Sequence, residues 1–124
     1  MSKDEMLRLE QNLMGAMKKY LKVYHEIEKL PEFKDLSRSA RGTGMISQYH
    51  QSVQDAIVER ARHAGAELRR GVYEKATKLY PDVVEELNSA IREAEAFLIS
   101  DASWQEKKNL TEMVTTLKGT YLPK

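Results

Sequence analysis

The chain has 124 residues, a formal net charge of +1 and no cysteine, and 41% of its residues are hydrophobic. This composition suits one folded domain over 1–124, and it excludes disulfides, thiolate metal sites and cysteine nucleophiles. The first residues are charged where a signal peptide would be apolar, and no stretch is apolar for long enough to cross a membrane. We therefore expect a cytoplasmic or otherwise intracellular protein with no membrane partner, and a component of a virus particle would also fit.

A first long helix is predicted over about 3–30. Ser2 and Glu5 have the spacing of a capping box, which satisfies backbone N–H groups at a helix start, and Pro31 ends the pattern. Between them, apolar residues recur at alternating steps of three and four, as on the buried face of a helix. These residues are Met6, Leu9, Leu13, Ala16, Tyr20, Val23, Ile27 and Leu30.

A second apolar row, formed by Leu7, Met14 and Leu21, lies beside that face. The two rows together cover about half of the helix, so we expect it to contact two neighbouring helices. The second row and Trp104 are our candidates for a protein interface, because large apolar side chains outside a core often anchor a partner. The alternative for Trp104 is that it folds back on the Phe97 and Leu98 end of the preceding helix.

The range 31–44 is predicted to be a loop between the two long helices. One turn of helix can form over Pro31–Leu36, and the Ser, Arg and Gly residues that follow favour a solvated connector. Arg38 and Arg41 could meet a phosphate group there. The glycine-rich pattern of a nucleotide-binding loop is absent, however, so no nucleotide site is predicted.

An arginine-rich central helix is predicted over about 45–79, and we expect the rest of the chain to be organised around it. Gly65 and Gly71 fall inside this helix and indicate either a close crossing with another backbone or a kink. One face of the helix is apolar and should be covered by the first helix. It is formed by Ile46, Tyr49, Val53, Ile57, Ala64, Leu68 and Val72.

Two shorter helices complete the prediction, over about 81–99 and 104–118. Pro81 suits the first position of a helix, and Ser103 and Glu106 repeat the capping-box spacing. No alternating strand pattern occurs anywhere in the chain. The sequence therefore predicts an all-α fold, an elongated bundle of about four helices, two long and two shorter.

Charge is distributed unevenly along the chain. The balance of Lys and Arg against Asp and Glu is 0 over 1–36, +4 over 37–80 and −3 over 81–124. Six of the eight arginines fall in the middle range. The simplest prediction is that the basic middle range and the acidic last range form ion pairs within the fold, with pairing between subunits or with an external polyanion as alternatives.

The arginines of the middle range are the candidate contacts for nucleic acid or for an acidic partner. Arg62, Arg69 and Tyr73 have a spacing that places them in line on the outward side of the central helix. The alternative is that this line is simply solvated or faces another subunit. The complete set of candidates is Arg38, Arg41, Arg62, Arg69, Arg70 and Tyr73.

No catalytic, cofactor or metal site is predicted. Glu59, His63 and Glu67 recur at steps of four and could in principle ligate a metal, but a surface ladder of charged side chains explains them better. No nucleophile motif, dinucleotide fingerprint or zinc-spaced histidine pair occurs. We therefore expect neither enzyme activity nor a small-molecule substrate.

Three functions remain open at this point. The leading hypothesis is a non-enzymatic helical protein that acts by assembly, either as a homo-oligomer or by docking on a protein partner. The first alternative is an architectural nucleic-acid-binding protein that uses the central helix and the 37–44 loop. The second alternative is a small helical inhibitor or adaptor of a larger enzyme.

Overall fold

Five α-helices make up the fold in the computed structural model, which describes residues 2–41, 48–100 and 103–123. Those ranges contain no strand, so the predicted all-α class is confirmed, with one helix more than the four predicted. The elements are α1 (Ser2–Glu28), a 3₁₀ turn (Pro31–Phe33), α2 (Lys34–Arg41), α3 (Gln51–Leu79), α4 (Pro81–Leu98) and α5 (Trp104–Thr120).

Helix α1 lies at the centre of the core. Its residues Leu13, Ala16 and Tyr20 are completely buried, and it packs against α3, α4 and α5. The number of neighbouring helices predicted for α1, two, was therefore too low by one. Helix α3, the predicted organising helix, also has three neighbours, which are α1, α2 and α4, but fewer of its residues are buried than of α1.

Helices α4 and α5 cover α1 along its length. Helix α4 runs antiparallel to α1 and buries Leu87 and Ala94 completely, while α5 buries Leu110 and Leu117. The predicted start of α5 is confirmed, since the backbone N–H of Glu106 donates to the Ser103 hydroxyl over 3.3 Å. At the other end, the ring of Tyr121 packs edge-on against Tyr24 of α1, with 5.5 Å between their centroids.

Helix α3 begins at Gln51, several residues later than predicted. His50 caps it, because its ring Nδ1 accepts a hydrogen bond of 3.3 Å from the backbone N–H of Ser52. Ile46, predicted to be buried, lies outside the described residues. Tyr49 and Val53 are exposed, at 50% and 43%, so the predicted buried stripe is wrong over its first part.

The buried face of α3 starts further along the helix. Leu68 and Val72 belong to the core shared with α1, as does Ala76, whereas Ala61 and Ala64 are buried next to that core. The periodic pattern correctly identified one face of the helix. It could not tell which part of that face a neighbouring helix reaches.

Helix α2 occupies most of the predicted 31–44 loop, which corrects that prediction. Phe33, Leu36 and Ala40 recur at steps of three and four; Phe33 is buried and the other two pack against the core. No Gly or Pro interrupts Lys34–Arg41, so the backbone can remain helical. Tertiary packing against α3 stabilises a segment whose polar composition resembles a loop.

The two glycines of α3 differ in what surrounds them. A Cβ atom built at Gly71 would lie 2.7 Å from Cε1 of the buried Phe33 ring, which is too close for any side chain. At Gly65 the nearest such atom is Nη1 of Arg69, at an ordinary contact distance of 3.5 Å. The close contact at Gly71 is with a side-chain ring, not with the backbone of another helix as predicted, and α3 continues through both glycines.

We predict opposite effects for alanine at these two positions. Gly71→Ala should destabilise the protein by about 1 kcal/mol, because displacing the buried ring outweighs the gain in helix propensity. Gly65→Ala should stabilise it by about 0.5–1 kcal/mol. Urea unfolding followed by circular dichroism checks both variants, and a stabilised Gly71→Ala protein would show that the Phe33 contact is not tight.

Tyr20 carries a buried hydroxyl at the centre of the core. Its oxygen is inaccessible to solvent and has no hydrogen-bond partner among the described residues. Burial raises the pKa of Tyr20 well above the ordinary tyrosine value, and the nearby Tyr24 and Tyr73 add to this effect. The phenolate form is therefore strongly disfavoured in the folded protein.

This environment predicts how stability depends on alkaline pH. Above about pH 10 the unfolded chain loses the Tyr20 proton while the folded protein keeps it, so stability should fall by about 1.4 kcal/mol per pH unit from this group. Tyr20→Phe should remove that contribution and be at least as stable at pH 7, since it deletes a hydroxyl without a partner.

The measurement is urea unfolding of wild type and Tyr20→Phe at pH 7 and pH 11. Tyr80→Phe, which changes an exposed tyrosine, controls for loss of a phenol elsewhere. An equal loss of stability at pH 11 in wild type and Tyr20→Phe would contradict the prediction.

Candidate functional site

Four of the five carboxylates of α4, all but Asp82, form ion pairs within the described chain with cations from α1, α5 and α4 itself. Every one of these pairs joins partly or largely exposed side chains. None of the cations comes from the arginine-rich middle range. The pairs are Lys19–Glu86 (3.0 Å), Arg8–Glu93 (3.5 Å), Lys118–Glu95 (2.9 Å) and Arg92–Glu85 (3.5 Å).

The arginines of α2 and α3 are left with few partners. Arg41 lies 3.5 Å from Glu28, and Arg62 lies 3.2 Å from Glu59 on its own helix. Within the described ranges, no ion pair forms at the other four arginines of the middle range, which are Arg38, Arg60, Arg69 and Arg70. The predicted pairing between the basic middle and the acidic last range is therefore wrong for the described residues.

Three of the candidate arginines, Arg41, Arg62 and Arg69, line one groove, which we name the arginine groove. It is bounded by the end of α1, by α2, by the middle of α3 and by the C-terminal tail. Cationic side chains thus come together from two helices that are separated in sequence. The groove is lined by Tyr24, His25, Glu28, Ser37, Ala40, Arg41, Val58, Ala61, Arg62, Gly65, Leu68, Arg69, Thr120 and Tyr121.

Arg69 is the arginine that lies deepest in this groove. Its side chain is half-buried and folds back along α3 toward Gly65, and its Nε atom is buried with no hydrogen-bond partner among the described residues. Burial raises the pKa of the neighbouring Tyr24 hydroxyl and Glu28 adds to the increase, whereas the positive charge of Arg69 opposes it. The groove therefore contains a guanidinium group without a counter-ion from the described chain.

Two further basic surfaces adjoin the arginine groove. One lies between the end of α1 and α2, and the other lies along α3 near Pro123. We name all three surfaces together the basic end; it carries seven Lys and Arg side chains against three carboxylates. They are Lys29, Lys34, Arg38, Arg41, Arg62, Arg69 and Arg70, with Glu28, Glu59 and Glu67.

Tyr73 does not belong to this surface, which corrects its predicted position beside Arg62 and Arg69. It is half-buried against the core, and its hydroxyl accepts a hydrogen bond of 3.0 Å from Nδ2 of Asn88 in α4. The turn at Tyr80, which connects α3 to α4, brings these two side chains together. The predicted line of arginines and an outward tyrosine is therefore wrong.

The predicted interface residues on α1 and α5 differ in exposure and do not form one continuous surface in the described residues. Leu7 and Met14 are about half exposed, while Leu21 is half-buried. Trp104 is 65% exposed, so the alternative that it packs back on Phe97 is wrong. No described contact joins Trp104 to the row on α1.

The acidic row on α3 is occupied by surface ion pairs. Glu59 pairs with Arg62, and Nε2 of His63 lies 3.0 Å from Glu67. Across residues 2–41, 48–100 and 103–123, no group of three His, Asp or Glu side chains is placed to hold a metal ion.

Sequence reasoning missed several residues that line the arginine groove, notably His25, Ser37, Val58 and Tyr121. The missed signal was the helical spacing of Phe33, Leu36 and Ala40, which fixes α2 against α3. No sequence pattern predicted the position of the C-terminal tail, residues 121–123, because that position depends on how α5 packs on α1.

No protein-family model, curated protein or solved structure matches this chain. Among the helices of the described residues, none has the length and apolar character needed to span a membrane.

Proposed function

We propose that this chain is a non-enzymatic interaction protein that docks its basic end on an acidic surface of a protein partner. The observation that supports this most is the difference between the acidic and basic residues in how many have an ion-pair partner. Carboxylates of α4 are neutralised from α1 and α5, while Arg38, Arg69 and Arg70 have no ion pair within the described chain. A surface with unneutralised guanidinium groups favours a partner that supplies carboxylates.

Docking on a different protein is better supported than self-association. Most of the wide apolar arc of α1, which could have joined two copies, is covered by α3, α4 and α5 of the same chain, and Leu7 and Met14 at its edge are about half exposed. Four of the five carboxylates of α4 in a second copy would already have their own cations. Self-association would therefore have to use scattered exposed apolar side chains, such as Leu7, Met14 and Trp104.

Nucleic-acid binding is the second candidate, and the exposed, unpaired Arg38 and Arg70 favour it. A phosphate backbone would gain from the same excess of positive charge. Single-stranded nucleic acid also gains from aromatic side chains on which bases stack. The aromatic residue predicted for that role, Tyr73, is half-buried and hydrogen-bonded to Asn88, so the observations favour the acidic protein.

The test compares two double charge reversals that change net charge equally. Arg38→Glu with Arg70→Glu alters the basic end, and Lys18→Glu with Lys22→Glu alters an exposed face of α1. Partners are cross-linked in extracts of the source cell and quantified by mass spectrometry. We expect the first variant to lose captured acidic proteins about 100-fold and the second to keep them within about threefold.

A gel-shift titration at low salt separates the two candidates. For a protein-docking chain, neither a DNA duplex nor an RNA hairpin should be retarded below about 10 µM protein, a range in which non-specific nucleic-acid binders act. Retardation that disappears in the Arg38→Glu, Arg70→Glu variant would favour nucleic acid. Equal capture by both double variants, without retardation, would contradict both candidates.

A further inference from the structure

The arginine groove combines an apolar floor with a cationic rim. Val58 is 37% exposed on the α3 side of the groove, and Ala40 and Ala61 keep the space in front of it open because their side chains are small. The edge-on pair of Tyr24 and Tyr121 closes the α1 side. An extended aliphatic or aromatic side chain from a partner would bury apolar surface on this floor.

One charged group on the rim, the guanidinium group of Arg69, can form an ion pair with a ligand without displacing an existing counter-ion. Arg41 and Arg62 already have Glu28 and Glu59 as counter-ions, with the arginine side chains about 70% exposed. Arg69 has no ion pair among the described residues, and its Nε is buried without a hydrogen bond. A carboxylate on its Nη atoms would form a charge-assisted bond and cancel the positive charge of the guanidinium group.

The carboxylate already in the groove does not satisfy Arg69. Glu28 is the acidic side chain that lines it, and its Oε1 lies 3.0 Å from Nδ1 of His25 and 3.5 Å from Nη2 of Arg41. Both contacts lie on the α1 and α2 side. The α3 side therefore keeps its positive charge, next to the exposed Val58.

We propose that the arginine groove binds an acidic segment of a partner protein, which places one large apolar side chain over Val58 and a neighbouring carboxylate on Arg69. This inference rests on the proposed function and assigns its specificity to one groove of the basic end. A nucleic-acid backbone fits less well, because its phosphates would leave the apolar floor uncovered. The aromatic rings that line the groove, Tyr24 and Tyr121, are buried and half-buried in their edge-on contact, so bases have little ring face to stack on there.

The experiment measures binding of a labelled 16-residue peptide rich in Glu, with leucines spaced along one face, by fluorescence anisotropy at 150 mM salt. Two matched pairs of variants are compared. Val58→Asn alters the groove, whereas Val53→Asn alters another exposed valine of the same helix. Arg69→Met alters the groove, whereas Arg60→Met alters an exposed arginine of the same helix that lies outside the basic end.

We expect the two groove variants to weaken peptide binding about tenfold each, and the two controls to change it less than about threefold. A second peptide with Ala in place of each Leu should bind wild type about tenfold more weakly. Thermal melting confirms that all four variants fold. NMR titration of the wild type should shift the amide signals of Gly65, Arg69 and Tyr121 more than that of Val53.

Each contrary outcome has a distinct meaning. If both peptides bind equally and Val58→Asn has no effect, the groove inference is overturned while binding of acidic partners at the basic end stands. If a DNA duplex competes fully and shifts the same groove signals, the ligand is nucleic acid and the inference is also overturned. If neither peptide binds below about 1 mM, both the inference and the proposed function fail.

Discussion

Burial of α1 is the constraint on which the rest of the structure depends. Leu13, Ala16 and Tyr20 have no exposed surface, and each large apolar side chain buried in this way stabilises the fold by about 1.5–3 kcal/mol. The demand for apolar packing is strong enough that the Tyr20 hydroxyl is enclosed without a hydrogen-bond partner in the described chain. Three helices therefore pack against α1, and this packing determines where their charged faces lie.

The charge layout follows from that packing. Because α4 lies antiparallel to α1, its Glu86 and Glu93 fall beside Lys19 and Arg8. Exposed pairs of this kind contribute at most about 1 kcal/mol each, so they do not determine the fold. They affect the electrostatic potential of the surface instead. Because the glutamates of α4 already have partners, they do not neutralise the arginines of α3. The basic end is thus a consequence of how α1 is covered, and that potential can steer an acidic partner toward it.

The sequence predicted the helices that carry strong local signals and failed where tertiary contacts decide. Apolar spacing and caps identified α1, α4 and α5 nearly to the residue. Helix α2 was missed because its Ser and Arg residues resemble a loop, and its stability comes from Phe33 and Ala40 packing against the rest of the fold. The candidate arginines were identified from composition, but their grouping around one groove was not, since it depends on four segments that are distant in sequence.

The two helices that carry the rim of the arginine groove are fixed relative to each other at one end. Phe33 meets the backbone of α3 at Gly71, and Glu32 pairs with Lys75 over 2.9 Å, so α2 and α3 are held together beyond the groove. The cationic side chains therefore project from helices whose separation is already set. A partner that binds there orders side chains but not backbone, which lowers the entropic cost of association compared with a site built on loops. Close packing at Gly71 is in this way connected to binding at Arg69 and Arg62, which lie about half a turn and about two and a half turns away on α3.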